Sequence, residues 1–140
     1  MNADVMLADE ELLRGFETAS LPDAAFRHRD HVRVAWMFVK RHGLPDALGE
    51  FSQALQRFAA AKGSPQLYHE TITWAFLLLI GDRLARTPAA TWAEFAARNA
   101  DLLTWKPSVL DRYYQSETLW SDLARRTFVW PDKQGLQSTP

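Results

Sequence analysis

Four histidines carry most of the chemistry this chain could do. Two stand together in Phe26-Arg-His28-Arg-Asp30-His31, and a third lies in Tyr68-His69-Glu70-Thr71-Ile-Thr73-Trp74. On one helix, His28 and His31 would share a face with their Cβ atoms about 5–6 Å apart. That spacing lets two imidazoles hold one ion. With His69 from a second helix, the set His28, His31 and His69 suits a divalent transition metal such as zinc or iron. Thr71 and Thr73 would then bond the ligands from behind. Without a metal, His31, His69 and Glu70 offer a general base, an orienting partner and a carboxylate. A structural reading stands beside both: the imidazoles are polar core groups satisfied by backbone. His42 precedes Gly43 and reads as a positive group placed at a helix C-terminus.

The residues around the histidines admit a ligand pocket. Trp36 and Trp74 each follow a histidine by five positions and could wall it, with Thr73 on the same helix. The alternative is that these rings are core. Arg27 and Arg29 flank the first histidine pair and could meet a substrate anion. Arg125-Arg126 and Lys40-Arg41 read as solvated helix faces and ends. Several chemistries lack support. The chain has no cysteine, which removes thiol nucleophiles, thiolate metal sites and disulfides. His28-Arg-Asp30 lacks the asparagine that a kinase catalytic loop places five residues later, since position 35 is Ala. No adjacent His-Asp pair, Gly-x-Gly-x-x-Gly or Walker pattern occurs.

Helices must position these groups. Asp9 to about Thr18 sets Leu12, Leu13 and Phe16 on one face. From about Arg29 to His42, Val32, Ala35, Trp36 and Val39 form an apolar stripe that Gly43 ends. Pro45 opens a helix with Ala47, Leu48, Phe51, Leu55 and Phe58 at three- and four-residue spacing, closed by Gly63. Ser64-Pro65 opens a helix expected over 65–86. Its run Trp74-Ala-Phe-Leu-Leu-Leu-Ile80 is apolar nearly all round, so this helix is expected to be the most buried. On it, His69, Thr73, Phe76 and Ile80 share one face, and Glu70, Trp74 and Leu77 another. Thr91-Trp-Ala-Glu94 is a capping box. Short helices follow from Pro107 and over Ser116 to about Arg126, with Phe128 to Pro131 extended. The expected fold is all-α, a single-domain bundle of six or seven helices over 1–140 with flexible ends at about 1–8 and 132–140.

The segments Phe26-x-His28-x-x-His31-x-x-x-Ala35-Trp36 and Tyr68-His69-Glu70-Thr71-x-Thr73 resemble the two signatures of a family of small bacterial helical proteins. The resemblance covers roughly the middle half of the chain. It implies a bacterial, cytoplasmic, helical protein and directs attention to His28, His31, His69 and Glu70, without supplying a reaction.

Bulk properties narrow the partners. A formal charge of -1 with 17 acidic and 16 basic residues gives no basic stripe for nucleic acid. The N-terminus lacks a basic n-region and a long apolar run, so no signal peptide is read there. The run Trp74 to Ile80 is far short of the roughly 20 residues a membrane span needs. A soluble, cytoplasmic protein is expected. Its partner would be a small-molecule ligand, or a second copy if an apolar face forms a homodimer. The function reading is a His/Glu-centred pocket, either in an enzyme, metal-dependent or not, or in a non-catalytic binding or interaction module whose histidines are structural.

Overall fold

The computed structural model describes residues 7–22 and 25–133. Among them are seven α-helices and no strand: α1 Asp9–Glu17, α2 His28–His42, α3 Leu44–Ala61, α4 Glu70–Arg86, α5 Trp92–Arg98, α6 Ser116–Leu119 and α7 Asp122–Arg126. Short 3-10 turns at Pro65–Leu67, Ala100–Leu103 and Val109–Arg112 join them. The all-α bundle expected from the sequence is the fold. No described helix is long and apolar enough to cross a membrane.

The bundle is built on α2, α3 and α4, which pack on one another. Gly43 links the first two. It adopts φ +80° and serves as both the last cap of α2 and the first cap of α3, a left-handed-side conformation that a side chain would strain. Pro45 sits in the first turn of α3, where its missing N–H costs nothing. Gly63, at φ +77°, ends the following turn.

The most enclosed helix is α2, not the helix at 65–86. Eight consecutive residues, Val32 to Val39, are buried, because α1 covers one side of α2 while α3 and α4 cover others. Even Arg33 is only 6% exposed. Its Nε and Nη2 donate to Asp9 Oδ1 of α1 at 3.0 and 2.6 Å, so the buried cation is paired as such burial requires. On α4, Leu78 and Leu79 stay partly exposed while Thr71, Thr73, Ala75, Phe76, Leu77 and Ile80 are buried.

The start of α4 also differs from the expected one. Ser64-Pro65 opens only a 3-10 turn, Tyr68 is extended, and His69 caps the helix that begins at Glu70. The last helix is split. Ser121 Oγ accepts from Ala124 N–H at 3.1 Å and starts α7 afresh. The capping box at α5 forms as read, with Glu94 N–H to Thr91 Oγ1 and Thr91 N–H to Glu94 Oε1, both 3.2 Å.

Phe16 stands at the middle of an aromatic cluster. Its ring centroid lies 5.2 Å from Phe26, 5.7 Å from Phe51 and 5.4 Å from Phe58. This cluster ties α1, α3 and the entry to α2, and its far side is the floor of the cavity described below. The C-terminal segment is strapped to α4. Thr71, fully buried, donates from Oγ1 to Thr127 O at 2.7 Å and accepts from Val129 N–H at 3.1 Å. Asp132 receives Gln115 N–H at 2.9 Å and the Thr118 hydroxyl. Within the expected flexible end at 132–140, Asp132 is thus anchored. Residues 1–6 and 134–140 of the expected ends lie outside those described.

Candidate functional site

A cavity of about 590 Å³ opens at the end of the bundle where α2 and α4 begin. Its size falls in the range of pockets that take drug-sized molecules. His28, His31, Tyr68, His69 and Thr73 line it, with Phe26, Phe51, Phe58 and Phe76 as its apolar walls. Trp105, Trp120 and Leu67 complete the lining while keeping 37%, 50% and 70% exposure, so they form an apolar rim. The two indoles meet edge-on with centroids 6.5 Å apart.

The three histidines share this cavity but play different parts. His69 caps α4. Its Nδ1 accepts from Ile72 N–H at 3.1 Å, and its Nε2 lies 2.7 Å from Leu119 O. A carbonyl oxygen only accepts, so Nε2 carries the proton and the ring is a neutral tautomer with both nitrogens committed to backbone. Burial holds its pKa below the usual imidazole value, and the Arg125 charge adds to the depression. His28 is in the first turn of α2. Its Nε2 donates to Leu102 O at 2.9 Å, and its ring packs edge-on to Phe76 at 5.1 Å. Burial lowers its pKa as well. His31 stacks on Phe26 with centroids 3.9 Å apart at 22°. Burial first, then the neighbouring His28, push its pKa down to about 4. All three imidazoles are therefore neutral at pH 7.

This geometry corrects several expectations. The set His28, His31 and His69 does not form a ligand cluster, and among the described residues no group of three histidines or carboxylates is placed to hold a metal ion. The reason is local: ligation by His69 would break either the α4 cap or its bond to Leu119. Glu70 belongs to the first turn of α4 but is not on the cavity lining; it receives the Tyr68 hydroxyl instead. Burial and that carboxylate raise the Tyr68 pKa to about 12, so the phenol stays protonated. Trp36 is core. It is 4% exposed and packs on Trp92 at 5.8 Å and Phe95 at 6.4 Å. Trp74 faces away from the cavity, against Phe128 at 5.7 Å. Thr73 does line the cavity; its hydroxyl donates to His69 O at 2.8 Å, which leaves its oxygen free to accept. Arg27 and Arg29 are exposed and off the lining.

Charge enters from Lys62, which no sequence motif singled out, and from Arg125, which was expected on a solvated helix face. Lys62 and Arg125 line the cavity, and among the described residues no carboxylate does. Lys62 Nζ donates to Leu21 O and lies 5.6 Å over the Phe58 ring. Arg125 has no ion pair or side-chain hydrogen bond among the described residues. Its neighbour Arg126 is held by Asp122 one turn back at 2.8 Å, whereas the residue one turn back from Arg125 is Ser121. Asp122 stands three residues before Arg125 and four before Arg126, and the structure gives it to Arg126.

No family model, curated protein or solved structure matches this chain.

Proposed function

We propose that the protein binds a compact, largely apolar small molecule in the cavity at the start of α2 and α4, without performing chemistry on it. One observation carries this reading: a cavity of about 590 Å³ is walled by phenylalanines, rimmed by two indoles and furnished with a few polar groups, of which Lys62 and Arg125 are charged. Such a lining matches the usual make-up of small-molecule sites, apolar walls with a few placed hydrogen-bonding groups. The free Nδ1 of His28, the His31 ring and the Thr73 oxygen are the groups that would orient a polar atom of the ligand.

The enzyme reading is weaker on the same residues. A general base works best with a pKa near the operating pH. His31, at about 4, is a feeble base at neutral pH. His69 has no free nitrogen, and Glu70 is off the lining.

The test uses 1-aminoanthracene, a neutral fluorescent probe of apolar cavities. Saturable one-to-one binding is expected, with transfer of excitation from Trp105 and Trp120. Ile72→Trp places a large ring in the cavity and should abolish binding while circular dichroism stays helical. Absence of saturable binding to the wild-type chain, or binding that survives Ile72→Trp unchanged, removes the reading.

A further inference from the structure

We propose that the occupant of this cavity is an organic monocarboxylate, with an apolar body against the phenylalanine walls and its carboxylate on Arg125. The proposal rests on the cavity being a binding site and names the class of ligand it selects.

The argument is one of charge balance. Arg14, Arg27, Arg29 and Arg57 show no ion pair among the described residues but are exposed to water, and the other arginines apart from Arg125 are matched. Arg33 meets Asp9, Arg83 meets Asp101 through two parallel bonds of 2.9 Å, Arg86 meets Asp82, and Arg126 meets Asp122. Arg125 is partly buried and lines an apolar cavity with no carboxylate beside it among the described residues. Its field reaches His69, whose pKa it helps depress. The histidines add no positive charge at pH 7. The cavity's charge is therefore carried by Arg125 and Lys62, and Lys62 is already engaged by the Leu21 carbonyl and the Phe58 face.

Position supports the assignment. Arg125 rides on α7, which is tied to α4 at both ends: Leu119, before α7, bonds His69, and Thr127, after it, bonds Thr71. These ties fix the backbone that carries Arg125, so only its side chain has to be ordered when it grips a ligand. Its planar fork fits one carboxylate through two parallel hydrogen bonds. A phosphate dianion would call for more donors, and the cavity supplies neither a second free arginine nor a glycine-rich loop of backbone N–H groups. The apolar walls and the Trp105–Trp120 rim leave the remainder of the ligand few polar partners: the imidazoles, Ser64, Tyr68 and Thr73.

The experiment displaces 1-aminoanthracene with three molecules of matched shape: 4-phenylbutyrate, 4-phenylbutyramide and 4-phenylbutylamine. Each is titrated against the wild-type chain, Arg125→Gln and Lys62→Gln, with thermal melts confirming that the variants fold. On the wild type, the carboxylate is expected to bind at least tenfold more tightly than the amide, and the amine most weakly. Arg125→Gln should collapse the carboxylate-to-amide ratio towards one, whereas Lys62→Gln should leave most of it. If the probe binds but carboxylate and amide compete equally, or the ratio survives Arg125→Gln, the anion proposal fails while the cavity reading stands. A ratio lost only in Lys62→Gln also overturns the assignment to Arg125. If neither the probe nor any of the three binds the wild type, the cavity reading fails and takes the proposal with it.

Discussion

The His69 imidazole donates from Nε2 to the Leu119 carbonyl at 2.7 Å while its Nδ1 caps α4 at the Ile72 N–H. One side chain thus starts a long helix and fixes the short C-terminal helices against it. His69→Ala should cost about 2–3 kcal/mol, from a lost cap and a lost buried hydrogen bond. His69→Asn can keep the cap but cannot reach Leu119, so it should recover about half. Urea denaturation measures both. A cost below about 0.5 kcal/mol for His69→Ala would show that neither bond matters.

The lowered histidine pKa values set a pH window. The unfolded chain protonates His31 below its ordinary 6.5, whereas the folded chain does so only near 4. Between those values the unfolded state holds more protons, so stability falls as pH drops from about 6.5 to about 4 and is flat above. His31 alone would account for about 3 kcal/mol over that window. His28 and His69 shift in the same direction and deepen the loss. The depressed carboxyls of Asp101 and Asp132 act only below their ordinary 3.8, so the window belongs to imidazoles. Denaturation midpoints of the wild type and His31→Gln at pH 7.5 and 5 should show a much smaller pH effect in the variant. Equal slopes would sink the assignment.

Thr71→Val keeps the shape of a fully buried side chain but removes its two hydrogen bonds. The Thr127 carbonyl and Val129 N–H, 2.7 and 3.1 Å from its hydroxyl, would lose their partner. A loss of about 1–3 kcal/mol is expected, the usual cost of unsatisfied buried groups. Hydrogen exchange should quicken at Val129 more than at the α2 core. Unchanged protection there would mean the strap is held by other contacts.

Tryptophans should divide into two classes. Trp36→Ala opens a hole between α2 and α5 beside Trp92 and Phe95, and should cost about 3–5 kcal/mol. Trp105→Ala, at the exposed rim, should alter stability little yet weaken 1-aminoanthracene binding. Thermal melts and probe titrations on both variants check this. A stable Trp36→Ala with impaired binding would return Trp36 to the ligand site.

The helices were written into local sequence, and the physical reason is that their signals act over a few residues. The apolar period from Val32 to Val39, the glycines at 43 and 63, and the Thr91–Glu94 box each specify backbone without reference to distant parts. The interest of His28, His31 and His69 was legible for the same reason, since their spacing is a property of one turn. Tertiary structure decided what those residues do. Whether a ring nitrogen is free depends on which carbonyl arrives from elsewhere: Leu119 for His69, Leu102 for His28. Both lie far along the chain, and no periodicity predicts them. Which helix is most enclosed depends on how many neighbours cover it, so α2 outranked the more apolar α4. The same holds for Arg125. A sequence shows its charge, but only the packing of α7 on α4 turns it towards an apolar cavity instead of water.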